Sequence, residues 1–82
     1  MTAAIERTRE EIKRLEREAD VAMRDYWQLA YASLDVPAES YAQAAVLRDA
    51  AEKAAEDARI QLWNARVRLF RLEQDAHPLV HR

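Results

Sequence analysis

Ser33-Leu34-Asp35-Val36-Pro37-Ala38-Glu39-Ser40 is the stretch where a helix cannot simply run through this chain. Pro37 has no amide hydrogen to donate, and its ring crowds the residue before it. Val36 is thereby pushed out of the α region, and a helix arriving from the N-terminal side ends by that point. Beyond the break two restarts fit. Pro37 suits a first helical turn, whereas Ser40 with Gln43 three residues later has the form of a capping box. The second helix therefore starts somewhere in 37–41, taken as about 38. The next proline, Pro78 after His77, stops it near Ala76. The reading is a helix over 2–34, a turn over 35–40, a helix over 38–76 and a short tail over 77–82, all in one domain. So short a connection makes the two rods antiparallel neighbours. The predicted fold is all-α: a two-helix hairpin of coiled-coil type.

Working outward, the flanks are built for helix. Alanine, glutamate, arginine and leucine dominate, and glycine is absent from the 82 residues. The first four lose little freedom in a helix. Without glycine, tight β-hairpins and phosphate-cradling loops lose their usual residue. With no cysteine there is neither a disulfide nor a thiolate metal site. A chain of this size rarely draws more than roughly 3 to 5 kcal/mol from its own core, so oligomerisation or docking is the expected staple. Charge appears within six residues of Met1, and no apolar run reaches the length of a signal core or a membrane span. The chain reads as a soluble cytoplasmic protein with no membrane partner.

The first helix carries a narrow stripe, Ile5, Thr8, Ile12, Leu15, Ala19, Ala22, Tyr26, Leu29 and Ser33, in alternating steps of three and four. Around it lie dense charges, with Glu10 and Arg14 spaced and oriented to pair. After Asp20 the band widens through Met23, Trp27, Ala30, Tyr31 and Leu34, which implies more than one neighbour. In the second helix the stripe reads Leu47, Ala51, Ala54, Ala58, Leu62, Ala65, Leu69 and Leu72. A second set, Ile60, Trp63, Val67 and Phe70, also steps by three and four, centred about 150° away. That helix is apolar on two opposed sides, and the hairpin partner shelters only one. If the numbers of facing residues sum to about 73, Ala19 lies against Ala54 and Ala22 against Ala51: close, but burying little area.

These faces carry the functional reading. Ile60, Trp63, Val67 and Phe70, with Trp27 and Tyr31, are the candidate partner interface, because aromatics bring large area and dominate interface hot spots. The expected occupant is a second copy, giving a homodimeric four-helix bundle, with a larger protein as the alternative. Arg59, Arg66, Arg68 and Arg71 are the candidate nucleic-acid contacts. They point to different sides of the helix beside Glu73 and Asp75, so a solvated, salt-bridged surface is the preferred reading. The formal charge is −2 overall, but residues 35–58 carry −4 and residues 59–82 carry +3. The turn end is thus acidic and could present a surface to a basic site on a larger protein, as a small phage-type inhibitor or accessory subunit would.

Chemistry is not indicated. His77 and His81 are four apart, but Pro78 breaks the helix that would align them for a metal. Adjacent carboxylates such as Glu10 and Glu11, or Glu56 and Asp57, point about 100° apart and do not converge as an acid and a base. Ser33 and Ser40 lie at the opposite end of the hairpin from both histidines. No catalytic residue, cofactor, metal or small-molecule substrate is expected.

In plan, the short hairpin with a bare apolar face is similar to the Rop-type RNA-binding hairpins, which pair into four-helix bundles; the resemblance implies pairing and an RNA-binding alternative. In length it also resembles the hairpins secreted by type VII systems. Their Trp-X-Gly turn is replaced here by Ser33-Leu34-Asp35-Val36-Pro37, so export is not implied.

Overall fold

A computed structural model describes residues 2–76, and the readings made on the 77–82 tail, including His77 and His81, lie outside them. Helix α1 spans Thr2–Ala32 and helix α2 spans Tyr41–Ala76, with no strand among the described residues. At 1.5 Å per residue the rods are about 46 and 54 Å long. They pack antiparallel along their lengths into a slab of 65 × 23 × 14 Å.

The connection is more structured than a simple turn. α1 tightens into a 3-10 turn at Ser33–Asp35, where the Ser33 hydroxyl donates to the Ala30 carbonyl at 2.8 Å. Val36 is extended, as the following proline requires (φ −81°, ψ 149°). Pro37 is extended too (ψ 155°), and a second 3-10 turn, Ala38–Ser40, leads into α2. The Ser40 amide donates to the Pro37 carbonyl at 2.9 Å. Because Ser40 lies inside this helical turn, the boundary position falls to Pro37. α1 ends two residues before the expected Leu34, the chain winding on as 3-10 rather than unfolding.

The α1 stripe is buried as its spacing predicts. Ile5, Thr8, Ile12, Leu15 and Ala19 are buried, and Ala22, Tyr26, Leu29 and Ser33 are half-buried. Thr8, the one polar residue among the buried five, is satisfied locally, its hydroxyl donating to the Ala4 carbonyl at 2.9 Å. The α2 stripe departs from expectation near the turn. Leu47 and Ala54 are exposed; Arg48 and Ala55 take their places. Positions 48, 51, 55, 58, 62, 65, 69, 72 and 76 are all sheltered and alternate by three and four, with Ala44, Ala45, Val67 and Glu73 half-buried beside them. The eleven-residue recurrence of Leu47, Ala58 and Leu69 therefore does not describe the seam.

The register differs as well. Three ion pairs cross between the helices: Arg9 to Glu73 at 2.7 Å, Arg68 to Glu11 at 2.7 Å and Arg66 to Glu16 at 3.0 Å. The paired numbers sum to 82, 79 and 82, so α2 sits about one heptad further along α1 than a sum of 73 places it. The cause lies in the connection. Ser33, Leu34 and Val36 line a hollow with Tyr41, Ala44, Ala45 and Arg48, so the first two turns of α2 lie against the connection. Toward the open end alanine-on-alanine contact is thereby avoided, while nearer the turn Ala22, Ala51 and Ala54 still come together. Ile12, Leu15 and Ala19 form one buried cluster with Leu62 and Ala65, edged by Ala58 and Leu69, so large side chains meet small ones across the seam.

Candidate functional site

In a seam that alternates by three and four, the residues just after one seam position flank one side of the pair, and those just before it flank the other. The ion pairs divide accordingly. Arg9–Glu73 and Glu16–Arg66 lie along one broad face of the slab, and Glu11–Arg68 lies along the opposite face. The four partners other than the half-buried Glu11 and Glu73 are exposed, so each pair fixes register more than it stabilises, at up to about 1 kcal/mol. Within α1, Glu10 accepts from Lys13 at 3.4 Å and Arg14 donates to Glu18 at 2.9 Å, so the expected Glu10–Arg14 pair is replaced by its neighbours.

The Glu16–Arg66 face carries the apolar candidates. Trp63, Arg66, Val67 and Phe70 line a shallow hollow of about 310 Å³. Since Arg66 reaches across to Glu16, the Trp63 and Phe70 side of α2 is the Glu16 side of the slab. One heptad nearer the turn, Arg59 lines a hollow of about 240 Å³ together with Met23, Tyr26 and Trp27 of α1. Trp27 therefore shares this face with Trp63 and Phe70. Tyr31 lies tilted by 37° against Trp27 with ring centroids 6.1 Å apart, and Tyr26 meets Trp27 edge-on at 5.3 Å. The result is an oblique apolar stripe: Phe70 and Trp63 on α2, Met23, Trp27 and Tyr31 on α1. In the observed register it extends about 30 Å along the slab.

The hairpin leaves this stripe in water. Trp63 is 65% exposed, Phe70 61%, Trp27 51% and Ile60 51%, with Val67 half-buried. α1 concentrates its apolar residues on one side, whereas those of α2 fall on opposed sides and largely cancel. The sequence signal of two stepped sets on α2 thus locates the face; that α1 completes it was hidden until the register was known.

The four arginines are not gathered into one patch. Arg66 and Arg68 are engaged by Glu16 and Glu11 on opposite faces, Arg59 borders the Trp27 hollow, and Arg71 is exposed elsewhere on α2. On the face opposite the aromatic stripe, a groove of about 600 Å³ runs over Val21, Ala22, Leu29, Ala51 and Ala54, rimmed by Arg14, Arg17, Glu18 and Asp25. It exists because the seam there is alanine-rich, and nothing in the sequence reading pointed to it. Among the described residues no three histidine, cysteine or carboxylate side chains converge as a metal site, and no helix is long and apolar enough to cross a membrane.

No family model matches the chain, nor does any curated protein or solved structure.

Proposed function

We propose that the protein is a non-enzymatic interaction module, a hairpin that pairs with a second copy through the face bearing Ile60, Trp63, Val67, Phe70, Trp27 and Tyr31 to make a four-helix bundle. The observation that carries this reading is the exposure of Trp63, Phe70 and Ile60 on a slab whose own seam is small. Leaving such side chains in water forgoes roughly 1.5 to 3 kcal/mol for each one fully buried, a sum comparable to the whole stability of a small domain. Monomeric soluble proteins seldom tolerate a contiguous apolar patch of this kind. The chain carries no cysteine, which suits the reducing cytoplasm, and that is where we place its action.

Light scattering at micromolar concentration tests the reading. It predicts a folded species of twice the 9.5 kDa chain mass. A chain that is fully helical and strictly monomeric at that concentration contradicts it.

A further inference from the structure

Resting on the self-association reading, we infer that the turn half of the hairpin, which carries the Trp27 and Tyr31 share of the aromatic face, opens locally in the single chain and is closed by pairing. The two halves of the slab are held differently. The buried residues of α1 end at Ala19 and those of α2 begin at Ala55, so nothing from Asp20 through Ala54 is buried. The ion pairs that cross between the helices, Arg9–Glu73, Glu11–Arg68 and Glu16–Arg66, lie on the open side of that boundary. Among the described residues none crosses nearer the turn, where Arg48 pairs with its own neighbour Asp49.

In the turn half the groove over Val21, Ala22, Leu29, Ala51 and Ala54 stands where packed side chains would, and alanines that meet there bury little area. The connection tethers the two rods without burying a side chain of its own. Nor can the helices stand by themselves. α1 beyond Ala19 and α2 before Ala55 run for roughly 13 and 14 residues, and isolated helices of about that length are marginal in water. Opening this half therefore gives up few buried contacts and costs much less than unfolding the whole hairpin. The boundary also divides the aromatic face. Ile60, Trp63, Val67 and Phe70 ride on the part of α2 anchored by Leu62 and Ala65, whereas Met23, Trp27 and Tyr31 ride on the loosely held part of α1. One share of the face is preformed, and the other is fixed when a second copy covers it, an ordering that draws on the energy of association.

Hydrogen exchange of the full chain, read by mass spectrometry where light scattering reports a monomer and again where it reports a dimer, tests this. The Trp63→Glu, Phe70→Glu double variant supplies a second monomer whose substitutions lie outside the seam. In the monomer, amides of 24–32 and 41–52 should be protected at least about tenfold less than those of 12–19 and 58–66, and pairing should narrow the gap. Equal protection of the two halves in the monomer, or a gap that pairing leaves unchanged, overturns the inference while leaving self-association standing. A chain that never scatters as a dimer removes the self-association reading and the closing step with it. As a second arm, Ala51→Leu places its added methylenes in the groove, so it should slow exchange of 24–32 and 41–52 in the monomer by about tenfold. Unchanged or faster exchange there would show a turn half already packed, and would overturn the inference.

Discussion

Leu15 is the best-buried large side chain of the seam, at 3% exposure, and Ala65 beside it is fully enclosed. Leu15→Ala opens a cavity that this thin slab cannot fill, so a loss of about 2 to 5 kcal/mol is expected, enough to abolish a cooperative thermal transition followed by circular dichroism. Ala65→Leu fails for the opposite reason: added methylenes have no room at this fully enclosed position and push the rods apart, costing about 1 to 3 kcal/mol in the same melt. Thr8 is different. Its hydroxyl bonds only back to the Ala4 carbonyl, which the helix already uses, so Thr8→Val should melt at the same temperature or slightly higher. On the outer face, Trp63→Glu with Phe70→Glu should weaken self-association at least ~100-fold, since each side chain forfeits roughly 1.5 to 3 kcal/mol of burial. The same change at Val21, in the groove on the opposite face, should leave the dimer intact by sedimentation.

At the scale of the elements, the heptad register makes a separate demand. Arg68→Glu alone should cost up to about 1 kcal/mol, and adding Glu11→Arg should restore it, with the coupling fading at high salt. A double-mutant cycle in urea reads this directly; no coupling at all would speak for a slipped register. The break at Pro37 and the α1 stripe were legible in the sequence because each rests on one strong constraint: a missing amide in the first case, large apolar residues at fixed spacing in the second. The seam of α2 near the turn was not. Ala50, Ala51, Ala54, Ala55 and Ala58 offer several overlapping stripes of equal hydrophobicity, and the local pattern does not choose between Ala54 and Ala55. That choice is made elsewhere, by Leu62 and Leu69 meeting Ile12 and Leu15, and by a connection that occupies the first turns of α2.

For the molecule as a whole, the two apolar faces have unequal partners. The inner one closes a narrow core of leucine, isoleucine and alanine, while the outer one collects the larger aromatics and leaves them bare. A chain so arranged should gain stability by mass action, so its melting temperature should rise with protein concentration. Its candidate interface was only half visible in the sequence. Trp63 and Phe70 announced themselves by spacing on one helix, but their alignment with Trp27 depends on how two distant segments meet. Sedimentation equilibrium of the unmodified chain across the micromolar range tests the central claim most directly. Reversible association to twice the monomer mass, lost in the Trp63→Glu, Phe70→Glu double variant, is the predicted result; a well-folded helical monomer at every concentration would contradict it.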